Sequence, residues 1–175
     1  MRLSLRTLTA GQGDTHMRVR LIASAAMFAA VGGFIACNDS TGPSGTTYIA
    51  TLNGANERPN PNTSTATGTA TYVLNGNLLS YTIVVSGLTV PASAAHLHVG
   101  GPTVAGPVLV PYTVSATQTG TITTGTIDLT FPIVSGSSSV SGDSIKVLLN
   151  NGNAYANVHN STYPGGEIRG QIIRQ

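Results

Sequence analysis

Beyond residue 46 the chain alternates apolar and polar positions in short runs, each closed by Gly, Asn, Pro or Ser. Residues two apart on a strand face the same side, so a period of two predicts β-structure. Thr47 to Asn53 reads as a first strand, with Tyr48, Ala50 and Leu52 on one face and Thr47, Ile49 and Thr51 on the other. Thr65 to Leu74 and Leu78 to Ser86 flank Asn75-Gly76, both of which tolerate positive φ, the strongest short-range hairpin signal. In that hairpin Ala70, Tyr72 and Leu74 share a face, as do Leu79, Tyr81, Ile83 and Val85, while Ser80 and Thr82 turn to solvent. Further strands are expected at Ala94 to Val99, Val108 to Tyr112, Gly120 to Phe131, Ser144 to Leu149, Ala154 to His159 and Glu167 to Arg174. Glu57 to Asn62 is a loop held by two prolines, Ser135 to Ser141 a polar loop, and Asn150 to Asn153 a tight turn joining two strands. No window shows a 3.6-residue apolar stripe, and strands never alternate with helical patterns, which excludes parallel βαβ units. The expected fold is all-β, an antiparallel Greek-key sandwich or closed barrel of about eight or nine strands.

The preceding residues follow another pattern. Met1 to His16 has no consistent period, and Met17 offers a second start, which we expect to be the true one. Arg18 and Arg20 then precede a charge-free run of 16 residues, Leu21 to Ala36. That run is shorter than the ~20 residues a helix needs to cross a bilayer. A basic front, a short apolar core and a small residue at the end describe a secretory signal. Phe34-Ile35-Ala36-Cys37 resembles a bacterial lipobox, in which the cysteine is lipidated and becomes the new N-terminus; ordinary cleavage beside an incidental cysteine is the alternative. The organisation read from this is a leader over 1–36, a lipidated Cys37 with a flexible spacer to residue 46, and one domain over 47–175. The expected address is outside the inner membrane, periplasmic or on the cell surface, with the membrane itself as a partner through the lipid. Cys37 is the one cysteine of the chain, so no intramolecular disulfide can form. A domain of this length builds its core without a stapling metal, so a metal would serve function rather than folding.

Removing the leader changes the charge. The chain has 8 basic and 6 acidic residues, but from Cys37 onward Arg58, Lys146, Arg169 and Arg174 face Asp39, Glu57, Asp128, Asp143 and Glu167, a net charge of −1. No Lys/Arg cluster is left to grip phosphates, which argues against nucleic acid and against polybasic attachment to anionic lipid.

Three of the four histidines, His96, His98 and His159, lie in two strand-like stretches. His96 and His98 project to the same side, with Leu97 directed oppositely into the core. Two imidazoles at this spacing with a third from another strand can hold one Cu or Zn ion and leave a position open. The same pair could equally hydrogen-bond loop backbone at a strand end. Glu167 and Arg169 read as a strand-surface ion pair rather than an acid/base couple. Asp128 and Asp143 lack a carboxylate partner, and Ser161 near His159 lacks a nucleophile elbow. Pro164-Gly165-Gly166 is turn chemistry, with no helix after it to cradle phosphate. Tyr155 and Tyr163 form either an exposed recognition patch or core and rim.

LNGANERPNPNTSTATGTATY (Leu52 to Tyr72), AAHLHVGGPTVAGPVLVPY (Ala94 to Tyr112) and AYANVHNSTYPGGEIRGQI (Ala154 to Ile172) together resemble the CHRD module, named for chordin and widespread in bacterial secreted proteins. The last block is the most specific, with Asn157-Val158-His159 followed by Pro164 to Gln171. Asn60 splits what is often a double proline, and Val99 to Pro102 is slightly altered after the histidine pair. The resemblance implies a β-fold and a non-enzymatic role; the cysteine-rich modules of chordin are absent, so its antagonist activity is not carried over. His96, His98 and Gly100 also match a fragment of copper/zinc superoxide dismutases, whose disulfide and bridging zinc site have no counterpart here. Two functions stand from the sequence: a lipid-anchored binding or structural module with a protein or cell-surface partner, and a Cu- or Zn-binding protein using the three histidines.

Overall fold

The computed structural model describes residues 45–136 and 138–175. The leader, Cys37 and most of the spacer lie outside the described residues. Within the described residues the strands are β1 (Thr46–Asn53), β2 (Thr67–Asn75), β3 (Leu78–Ser86), β4 (Ala94–Val99), β5 (Val108–Tyr112), β6 (Gly120–Asp128), β7 (Ile133–Ser135), β8 (Ser138–Val140), β9 (Ala154–His159), β10 (Ile168–Gln171) and β11 (Ile173–Arg174), with a helix α1 (Gly142–Asn150) before β9. The main sheet has nine strands in the order β5-β4-β9-β10-β1-β2-β3-β6, with β11 added beside β1, and every pairing is antiparallel. Because β9 and β10 sit between β4 and β1, the connections cross in the Greek-key manner rather than as a meander. The sheet curls into a nearly closed barrel. Across the gap between its end strands, Ser115 donates its amide to the Ile122 carbonyl at 2.7 Å, and the Tyr112 hydroxyl of β5 donates to that of Tyr72 on β2 at 3.3 Å.

The predicted alternation decides what the barrel encloses. Tyr48, Ala50 and Leu52 of β1, Ala70 and Tyr72 of β2, Leu79, Ile83 and Val85 of β3, and Leu97 of β4 are all buried in one core. Tyr81 stacks on Tyr112 at 4.4 Å between ring centroids, which ties β3 to β5 across the barrel gap. The hairpin register is as expected, except that the two turn residues are Gly76 and Asn77, because Asn75 pairs with Leu78. Gly76 has φ +59° and nothing within 4 Å of where a Cβ would stand. Gly76→Val is therefore expected to cost about 1 kcal/mol or more through backbone strain alone, since a β-branched residue resists positive φ. Urea unfolding checks this, and a neutral result would refute a left-handed requirement at Gly76.

Several expectations are corrected. Ser144 to Leu149 is helical, not a strand. Ser141 caps α1, its hydroxyl accepting from the Ser144 amide at 3.2 Å, and Asp143 stands in the first turn. Ile145 and Leu149, one helical turn apart, are buried in the core, while Leu148 packs at its edge. This three-residue stripe is too short to register in a chain otherwise dominated by period two. Asn150 to Asn153 accordingly ends a helix rather than joining strands, and Gly152 has φ +66°. The stretch Ser135 to Ser141 is not all loop, since β8 pairs with β7 as a small hairpin. Strand β6 ends at Asp128, whose carboxylate accepts from the Thr130 amide at 2.8 Å and turns the chain before Phe131. The final strand is broken at the buried Ile172 into β10, which lies between β9 and β1, and β11, which pairs with β1 alone.

Candidate metal centre

Strand β9 runs between β4 and β10 and sets the site. Its pairing places Ala94 opposite His159, His96 opposite Asn157 and His98 opposite Tyr155, and β10 adds Arg169 opposite Asn157 and Gln171 opposite Tyr155. Cross-strand partners share a face. His96, His98, Tyr155, Asn157, His159, Arg169 and Gln171 therefore form one polar layer, while Ala95, Leu97, Ala156 and Val158 fill the core on the other side. Most of the polar layer is closed to water, with His96 and His159 half-buried at its edge. His98, Tyr155, Asn157 and Arg169 are buried, beneath the loops that follow η1 (Gly54–Asn56), β4 and β9.

The three histidines named from the sequence converge. Each offers a ring nitrogen within 4.8 Å of the others. His96 Nδ1 lies 3.0 Å from His159 Nε2. The loops orient the rings through backbone carbonyls: His98 Nδ1 donates to Gly106 O at 3.0 Å, and His159 Nδ1 donates to Pro164 O at 3.0 Å. With their protons committed there, both rings turn Nε2 lone pairs inward, the arrangement by which second-shell acceptors select the ligating tautomer. His159 Nε2 accepts from His96, whereas His98 Nε2 is buried without a partner. Of the pair on β4, His98 hydrogen-bonds loop backbone, whereas His96 bonds the His159 ring.

Burial lowers the proton affinity of all three rings below the ordinary 6.5, and His159 falls to about 4 because the cationic form of neighbouring His96 repels it as well. The rings therefore keep their neutral forms to lower pH than a free imidazole does. His98 stacks flat on Tyr155 at 4.7 Å, and the Arg169 guanidinium lies 3.4 Å from the centre of the Tyr155 ring. Arg169 also donates to Gly101 O at 2.9 Å, and the Tyr155 hydroxyl meets Gly106, so both residues pin the loop that holds His98.

The comparison of this sequence with family models matches the CHRD domain over residues 48–172. The chain belongs to the CHRD-domain family. No curated protein and no solved structure matches it. The matched span covers all three histidines and the loops that hold them.

The remaining candidates of the CHRD domain fall out differently. Glu167 and Arg169 are not a surface ion pair. Both are buried, and among the described residues the one ion pair is Lys146–Asp143 at 3.1 Å. Glu167 leaves the strand face because β10 begins only at Ile168, and its carboxylate turns toward Ser64, Thr89 and Asn160. Ser161 is exposed and has no place in the cluster, Tyr155 is part of the buried layer, and Tyr163 lines a groove of about 270 Å³ between Glu57–Asn62 and Thr162–Gly166.

Sequence reasoning passed over Glu57. Both its carboxylate oxygens accept from Asn157 Nδ2 at 2.9 Å, and burial raises its pKa to about 7 from the ordinary 4.5 against the pull of that bond and of Arg169. A Cβ on Gly166 would stand 2.6 Å from both Asn157 Nδ2 and a Glu57 oxygen, so the second glycine of the Pro-Gly-Gly turn is required by close approach. A raised carboxyl pKa stabilises the fold fully below the unfolded value of 4.5 and loses that contribution as pH rises through about 7. The depressed histidines act in the opposite sense, stabilising above 6.5 and losing their contribution as pH falls toward 4. Glu57→Gln, which stays neutral, is expected to gain stability relative to wild type as pH rises from 5 to 8. Thermal unfolding across that window checks it, and a pH-independent difference between the two proteins would refute it.

Proposed function

We propose that this CHRD domain is an extracytoplasmic metal-ion-binding module for Cu or Zn, carried at the membrane by lipid on Cys37 and acting by binding rather than by catalysis. The observation that supports the metal reading is the set of three imidazole nitrogens within 4.8 Å of one another, two of them turned inward by backbone carbonyls. Zinc holds imidazole nitrogen at ~2.0–2.1 Å, so a small readjustment of the rings, with the His96–His159 hydrogen bond given up and its proton moved off Nδ1, lets a central ion take three bonds. The half-buried His96 and His159 leave the cluster a route to solvent by which an ion enters. The address is supported by the basic, apolar and small-residue order of Met17 to Cys37.

Calorimetric titration of the purified protein with Zn(II) and with Cu(II) at neutral pH tests the first half. One ion per chain is expected, and folded protein that takes up neither of these ions, nor Cu(I) under anaerobic reducing conditions, would reject the reading. Cys37→Ser tests the second half. It is expected to release the protein from membranes and to abolish lipid labelling, and unchanged membrane association and mass in that variant would end the lipoprotein proposal.

A further inference from the structure

We infer that the histidine cluster selects monovalent copper over divalent ions. This rests on the reading of the cluster as a metal site and adds the charge state of the ion it takes. Imidazole suits zinc and copper alike, so ligand type alone does not choose. Charge and coordination number do. All three ligands are neutral, and among the described residues no carboxylate or thiolate joins them. The two buried carboxylates of the domain are committed elsewhere, Glu57 to Asn157 and Glu167 to Ser64, Thr89 and Asn160. A positive charge stands close to the rings, since Arg169 lies on the Tyr155 ring that in turn stacks on His98.

Moving an ion out of water costs more the greater its charge, and the cost is recovered only where counter-charge or full coordination replaces the lost hydration. A divalent ion here would meet three neutral dipoles and a cation. A monovalent ion incurs about a quarter of that solvation cost, because the Born term scales with the square of the charge. Three nitrogens also complete a trigonal shell for Cu(I), whereas Zn(II) needs a fourth ligand from solvent. The locked tautomers of His98 and His159 add rigidity, holding the set at three ligands.

The test is an anaerobic competition on the purified protein, with bicinchoninate as the Cu(I) probe and a fluorescent chelator as the Zn(II) probe. Cu(I) is expected to bind one per chain and about 100-fold or more tighter than Zn(II). Zn(II) binding as tightly as Cu(I) would overturn the inference while leaving the cluster a metal site. Failure of both ions to bind would overturn the metal reading with it. His96→Asp, which places an anion among the ligands, is expected to shift the preference toward Zn(II) by about tenfold or more. An unchanged preference in that variant, folded by circular dichroism, would refute charge as the selecting property.

Discussion

Glu167→Ala is expected to destabilise the domain by about 3 kcal/mol, the scale on which stranding several hydrogen-bond donors of one network is felt. The side chain is wholly buried. One carboxylate oxygen accepts from the Ser64 hydroxyl at 2.6 Å, the Thr89 amide at 2.9 Å and the Thr89 hydroxyl at 2.7 Å, and the other accepts from Asn160 Nδ2. Three separate stretches of irregular chain are thereby fastened to the start of β10. Asn160 in turn accepts from the Thr162 and Tyr163 amides, so the loop that carries Pro164 to His159 hangs from the same carboxylate. Alanine would leave four donors without their acceptor, that of Asn160 buried and those of Ser64 and Thr89 nearer to water. Glu167→Gln keeps one acceptor and is expected to lose less than the alanine variant. Urea unfolding distinguishes the two, and an alanine variant within about 1 kcal/mol of wild type would mean that the loops repack without this anchor.

His159→Ala is expected to lower metal affinity by more than about 100-fold, because losing even an outer-shell partner of a ligand costs about 10–100-fold. His159 is the ligand contributed by β9, and without it the pair on β4 offers two nitrogens on one strand. The alanine variant is expected to remain folded, since His159 is only partly buried and its ring bonds reach one loop carbonyl and one neighbouring ring. Gly106→Ala should act on the same affinity through position. A Cβ there would collide with the Val99 carbonyl and push away the loop whose oxygen orients His98. Proton competition gives a further readout. With all three rings held below the ordinary 6.5, bound metal should persist as pH falls past 6.5 and be lost as the rings protonate at lower pH. Equal affinity of wild type and His159→Ala in a titration at neutral pH would remove His159 from the site.

Much of this architecture was legible along the chain because a strand announces its own faces. The period of two in Tyr48-Ala50-Leu52 and in Leu79-Tyr81-Ile83-Val85 depends on the local pleat alone, and the barrel buries those residues on that period. The same rule put His96 and His98 on one side and Leu97 on the other. It gave a wrong answer at Ser144 to Leu149, where one helical turn of Ile145 and Leu149 reads almost as well as an alternating strand. It also gave a wrong answer at Glu167 and Arg169, where polar residues two apart read as a wet surface.

The sequence by itself thus determined most strands of the main sheet, their inward faces, the hairpin glycine and the two stretches that carry the histidines. Tertiary structure decided that β9 lies between β4 and β10, and that loops from three other connections cover the polar face. The physical reason is that periodicity is a property of one strand, whereas neighbourhood and burial depend on pairings between residues far apart in the chain. His96 and His159 are 63 positions apart, Glu57 and Asn157 100. Such contacts form because the core faces of these strands must close on each other. Only then do the polar faces behind them meet, and only then do the carbonyls of Gly106 and Pro164 orient His98 and His159 beside His96.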